Sequence, residues 1–224
     1  MTIAYKFTTP IRPENTTYVN LIPNYSCVNN CLFCSRPRTP ERYGKSVYEQ
    51  KAGTSLYLQK VPTIEEIMQE FLSIYKSTDK EVAIVGVGEP LIYFSTVVEV
   101  LKKIQQQYNL RTRIDTNGLV LCWEPDAIRK LTEAGLNEIR ISVNAITETE
   151  YVHLCQPRVF NAFTQLCTFV NQCSKSPIKT NTSFVINFNA QNISKRTPEE
   201  YISFAQSLGI RRENVILRNY VQEQ

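Results

Sequence analysis

Three cysteines fall within eight residues, Cys27-Val-Asn-Asn-Cys31-Leu-Phe-Cys34. Three thiolates on one short loop can hold three irons of a cubane cluster and leave the fourth iron without a protein ligand. Electron-transfer clusters ordinarily use four cysteines, because their irons need no open coordination position. An iron that lacks its fourth thiolate can bind a small molecule, which turns a redox centre into a reagent. Seven cysteines placed at random over 224 positions would give this C-x3-C-x2-C spacing about 0.007 times, so chance is a poor account of it. The bland alternative is a zinc site that borrows a distant fourth cysteine, but no second C-x2-C follows and His153 is the single histidine. Cys122, Cys155, Cys167 and Cys173 show no cluster spacing and read as packed thiols.

The elements that must position this loop alternate along the chain. Tyr18 to Pro23 reads as a first strand running into the cysteines. Thr63-Ile-Glu-Glu has the capping-box pattern and opens a helix through Tyr75. Glu81 to Gly86 is a short apolar strand of the fully buried parallel kind. A helix with Val97, Val98, Leu101 and Ile104 at helical spacing follows, then a strand over Leu110–Asp115 and a helix from Pro125 to Ala134. Glu138–Val143 is a strand, Glu148–Leu154 and Phe160–Cys173 are helical, and Lys179–Phe188 is a strand. A helix from Pro198 to Leu208, stopped by Gly209, precedes the last strand, Val215–Arg218. Six strands separated by helices predict right-handed crossovers and a parallel sheet, an α/β fold of the partial (β/α)6 TIM-like barrel type. With no linker, repeat or low-complexity tract, residues 1–224 read as a single domain.

In parallel α/β folds the chemistry sits at the carboxyl ends of strands, and the unusual residues fall at those positions. The cysteine loop follows the first strand and Gly86-Val-Gly88-Glu89-Pro90 the second. Asp115-Thr116-Asn117-Gly ends the third and Ser142-Val-Asn144 the fourth. Each is a short polar or glycine-rich break after an apolar run, although each alone would also serve as an ordinary turn.

The cysteine spacing, with an aromatic residue before the last cysteine, resembles the signature of the radical S-adenosylmethionine (SAM) superfamily. The run GVGEPLI, then DTNGL, then ISVNA followed by Tyr151-x-x-Leu-Cys155-x-Pro157, resembles the TatD-associated radical SAM proteins over Tyr18 to Tyr220. The resemblance implies a [4Fe-4S] cluster on Cys27, Cys31 and Cys34, with S-adenosyl-L-methionine chelating the open iron. It implies reductive cleavage of SAM to a 5′-deoxyadenosyl radical that abstracts hydrogen from a substrate. It also implies that the main chain of Gly86, Gly88 and Glu89 receives SAM's amino group. Val87 stands where the family's GGEP stretch has its second glycine. Thr116, Asn117, Ser142 and Asn144 take the ribose and carboxylate contacts. Asp115-Thr116 resembles the stretch of glycyl-radical activating enzymes in which an aspartate helps hold a cation beside SAM. The family's fifth-strand motif is not recognisable, so Phe33, Asn187 and Leu217 stand as the candidates for the adenine side.

Residues 35–62 form a connection long enough to be functional. It carries Arg36, Arg38, Arg42, Lys45, Lys51 and Lys60 with Tyr43, Tyr48 and Tyr57 interspersed. The expectation is a loop that covers the cluster and offers cations to an anionic substrate. The net charge of +4, with 42% apolar and 21% charged residues, describes a globular protein and argues against a nucleic-acid binder. No stretch reaches the ~20 apolar residues of a membrane span, and the first ten residues have no leader-like apolar core. An odd number of cysteines without signs of secretion suggests reduced thiols in a cytoplasm. The expected partners are a small-molecule or protein substrate and a reductant such as flavodoxin or ferredoxin. Within the same class, the short chain also resembles glycyl-radical activating enzymes and 7-carboxy-7-deazaguanine synthase. From a different class, a structural zinc or iron-sulfur binding protein is the alternative.

Overall fold

The computed structural model describes residues 2–7, 15–108, 110–189 and 195–220. Of the stretch read for a leader, positions 1 and 8–10 lie outside these residues. The chain divides into two compact units. The first comprises Met1–Cys27, Ser35–Asp115 and Glu133–Asn137; the second comprises Val28–Cys34, Thr116–Thr132 and Glu138–Gln224.

The first unit contains β1 (Ala4–Tyr5), β2 (Thr16–Val19), α1 (Val47–Ala52), α2 (Ile64–Ile74), β3 (Glu81–Ile84), α3 (Phe94–Tyr108) and β4 (Arg111–Thr116) up to Asp115. β1 runs antiparallel to β2, with Tyr5 opposite Tyr18. β2, β3 and β4 are parallel, with Thr16 beside Glu81 and Glu81 beside Arg111. α2 begins where the sequence places it. Thr63 and Glu66 cap it reciprocally, and its buried face is Ile67 and Phe71. α3 buries Val97, Val100, Leu101 and Ile104.

β2 ends at Val19, earlier than the apolar pattern implies. Asn20 accepts from the Ile22 amide through Oδ1 (3.2 Å) and donates through Nδ2 to the Leu56 carbonyl (2.8 Å), which pulls the chain out of the ladder. Leu21 and Ile22 stay buried as irregular chain rather than as strand.

The connection over residues 35–62 contains an element of its own. Ser46 and Glu49 form a capping box that starts α1, and Gly53 ends it in the left-handed region. The tyrosines of this connection feed the core. Tyr43, Tyr48 and Tyr57 pack against the buried cluster of Tyr5, Tyr18, Tyr25, Leu56, Val85 and Val87. Arg113 is buried on β4 between Glu81 (3.1 Å) and Asp115, with its guanidinium 5.8 Å from the centre of the Tyr18 ring.

The second unit contains α4 (Ala127–Glu133) up to Thr132, β5 (Glu138–Ser142), α5 (Glu148–Cys155), α6 (Ala162–Ser174), β6 (Lys179–Ile186), α7 (Pro198–Ser207) and β7 (Val215–Asn219). β5, β6 and β7 are parallel, with Ser142 beside Ser183 and Ser183 beside Ile216. Ile139, Ile141 and Phe184 are buried on the helix-facing side. Thr197 and Glu200 cap α7 reciprocally, with Pro198 in its first turn. β6 stops at Ile186 because Asn187 takes a left-handed conformation (φ 60°). Strands β2 to β4 in the first unit and β5 to β7 in the second are parallel within their unit, and these six strands alternate with helices along the chain, the (β/α)6 count read from the sequence. Among the described residues no helix is long and apolar enough to cross a membrane.

Candidate cofactor site

In the first unit, a left-handed corner at Asn24 and Tyr25 (φ 51° and 50°) redirects the chain from β2 into the cysteine loop. Several contacts hold it. The Asn24 amide donates to the Leu58 carbonyl (2.8 Å), and the buried Tyr25 hydroxyl donates to Glu49 Oε1 (2.7 Å). Arg36 donates to the Tyr25 carbonyl (3.2 Å), so this cation of the basic connection supports the corner. The Glu89 amide donates to the Ser26 carbonyl at 2.8 Å, joining the glycine turn after β3 to the residue before Cys27.

This approach leaves no room for side chains at either glycine. A Cβ on Gly86 would run into Asn20 Oδ1, and one on Gly88 would lie 2.5 Å from the Ser26 carbonyl oxygen. Gly88 also has φ +131°, which favours glycine. Val87 between them is buried in the aromatic cluster, a packing reason for valine at that place. The Glu89 carboxylate is buried and accepts from the Leu91 amide (2.9 Å), capping the short helical turn over Pro90–Tyr93. Asp115, at the carboxyl end of β4, takes an ion pair from the buried Arg113.

In the second unit, Thr116 Oγ1 accepts from the Gly118 amide (3.1 Å) and Asn117 Oδ1 from the Leu119 amide (3.0 Å), so this tip is a self-supporting turn. Ser142 Oγ lies 3.5 Å from Ser183 Oγ, which accepts from Arg218 (2.9 Å). Asn144 is left-handed (φ 64°), and its Oδ1 accepts from the Val185 amide (3.1 Å). Phe33, half-buried, meets the Phe188 ring edge-on at 5.9 Å, and Phe188 meets Tyr220 at 4.8 Å. Asn187 donates to Asn219 Oδ1 (2.6 Å). Leu217 pairs with Phe184, so its side chain lies on the face opposite Ser183 and Arg218.

Cys31 and Cys34 lie on a segment of the second unit that is bonded to the end of α5. Cys27 and Cys31 are half-buried, Cys34 is exposed, and none is in a disulfide. Among the described residues, no three His, Cys, Asp or Glu side chains close around one point as a single ion requires. Three reduced thiols on a loop whose backbone is already fixed by protein hydrogen bonds are a donor set suited to an iron-sulfur cube. Burial raises the Cys167 thiol to about 11 and pushes Cys173 higher still, so both read as packed thiols with little thiolate character. Sequence reasoning missed Arg218, Ser183, Asn20 and Arg113. Only the polar residues at alternate positions of β4, β6 and β7 could have hinted at three of them.

Residues 21–200 match the family model described as Radical SAM superfamily. The chain is 28% identical over 140 residues to the uncharacterized protein MJ0103 of Methanocaldococcus jannaschii, a match covering 60% of this chain and 29% of that protein. Among solved structures, it is similar to TYW1 with a lysine-pyruvate adduct bound (TM-score 0.59, 16% identity), covering 93% of this chain and 65% of that one. It is also similar to Streptococcus suis SuiB bound to S-adenosylmethionine (TM-score 0.59, 15% identity), covering 92% of this chain and 41% of that one. The chain therefore spans less than two thirds of each of these proteins.

Proposed function

Because the chain belongs to the radical SAM superfamily of enzymes, we propose that it cleaves S-adenosylmethionine reductively at a [4Fe-4S] cluster held by Cys27, Cys31 and Cys34. When bound, the cluster supplies one electron to the sulfonium, giving methionine and a 5′-deoxyadenosyl radical that takes hydrogen from a small-molecule or protein substrate. The chain's own residues bind and orient. The main chain of Gly86, Gly88 and Glu89 faces SAM's amino group in this reading, with the Glu89 amide itself committed to the Ser26 carbonyl. Ser142, with Ser183 and Arg218 beside it, offers hydroxyls and a cation to the carboxylate. Thr116 and Asn117 are spent partly on their own turn and Asn144 on the Val185 amide, so their contribution to the ribose is through the remaining polar atoms and the main chain. Phe33 and Asn187 offer the adenine side an aromatic face and an amide. Leu217 can contribute there only through its backbone. Asp115 enters as the partner of Arg113, whose guanidinium already supplies a positive charge beside it.

The observation that carries the reading is the Ser26–Glu89 hydrogen bond, with the Cβ-free approach of Gly88 beneath it. That contact ties the chain entering the three cysteines to the turn at which a superfamily member holds its cosubstrate. The experiment is anoxic reconstitution with iron and sulfide, then dithionite and SAM, with 5′-deoxyadenosine as the product read. Replacement of all three cysteines by alanine should abolish it. A colourless protein carrying zinc, inert toward SAM, would overturn the proposal in favour of a structural metal site.

A further inference from the structure

The stretch Tyr151-x-x-Leu154-Cys155-x-Pro157 has no part in the cofactor contacts proposed above, yet it meets the cysteine loop along its length. The Asn30 amide donates to the Cys155 carbonyl and the Leu32 amide to the Leu154 carbonyl, both at 2.9 Å. Beyond the helix, the Arg158 amide donates back to the Val28 carbonyl at 2.9 Å. Two side-chain bonds reinforce these: Asn29 Nδ2 to the Tyr151 hydroxyl (3.2 Å) and Asn30 Nδ2 to Gln156 Oε1 (3.1 Å). Gln156 is left-handed (φ 44°), which turns the chain out of α5 and lets Arg158 return along the loop. Tyr151 is fully buried, and its ring packs on Phe163 at 5.6 Å.

We propose that the carboxyl end of α5 is a template that shapes the cysteine loop before iron arrives, with Tyr151 as a positioning residue acting through Asn29. The template also commits loop amides to carbonyl oxygens. Asn30 and Leu32 donate to α5, and the Cys34 amide donates to the Cys31 carbonyl (3.2 Å). Hydrogen bonds to cluster sulfurs are among the factors that set the potential, and donors already spent on carbonyls are withheld from that role. The negative end of the α5 dipole acts in the same direction. Resting on the proposed function, the consequence is a cluster held at low potential, as reduction of a sulfonium demands.

The test uses the full chain, first cluster-free under chelator and without oxygen, and compares it with Tyr151→Phe, which keeps the ring and removes the hydroxyl. In the wild type the amides of Asn30 and Leu32 should be protected from hydrogen exchange without metal. Local opening there must also break the Asn29–Tyr151 bond, so the variant should exchange about three- to tenfold faster at those amides, with β5 and β6 amides unchanged. After reconstitution, the midpoint potential followed by electron paramagnetic resonance should be higher in the variant. Unprotected amides in the cluster-free wild type, or identical exchange in the two proteins, would overturn the template. An identical potential would overturn the tuning. Failure of SAM cleavage in the wild type would instead sink the proposed function and leave the exchange measurement standing.

Discussion

Position 88 admits glycine for two separate reasons, its positive φ and the Ser26 carbonyl where a Cβ would stand. The Gly88→Ala variant should lose about 1–3 kcal/mol of stability, read as a lower urea midpoint. It should also hold less iron after reconstitution, because the relief available is a shift of the chain just before Cys27. The cysteines and both glycines were legible in the sequence, since their chemistry or conformation restricts them to few uses. Tyr151 and Asn29 are 122 positions apart, and no local pattern announces a hydroxyl that meets an amide only after a parallel crossover. Arg113 was hidden differently, because nothing local in its strand marks the charge that Glu81 and Asp115 pair with in the core.

At the scale of elements, α1 shows how a short helix escapes a periodicity search. Its six residues cannot display an amphipathic repeat, and the Ser46–Glu49 box is the main signal. Glu49 does more than cap. It also accepts from Tyr25 Oη and from the Leu56 amide (2.8 Å), tying the basic connection to the corner before the cysteines. Burial first, and then the bond to Glu49, raises the Tyr25 phenol from 10 to about 12. A raised folded-state value favours the protonated phenol in the native chain. Its contribution is therefore complete below pH 10 and is lost as pH rises toward 12. Urea unfolding across this window should show stability falling faster in the wild type than in Tyr25→Phe. β1, two residues long, and the early end of β2 were not legible for a related reason. Both depend on partners elsewhere in the chain, Tyr18 and Leu56, rather than on local preference.

For the molecule as a whole, the strand–helix alternation was the most legible property, because parallel strands need apolar runs and crossovers need helices of a minimum length. That alternation is also what survives at 15–16% identity to TYW1 and SuiB. Each unit buries its own set of apolar side chains. Removing iron with a chelator should therefore leave the far-ultraviolet circular dichroism unchanged and the unfolding cooperative, unlike small zinc domains that melt without their ion.

The uneven exposure of the thiols has a practical corollary. Cys155 and Cys173 are buried, whereas Cys34 stands in contact with solvent. Air would reach Cys34 ahead of its loop neighbours Cys27 and Cys31, which are half-buried, carrying it toward sulfenic acid and mixed disulfides. The solvent access that would let a reductant approach thus also leaves this thiol open to oxygen.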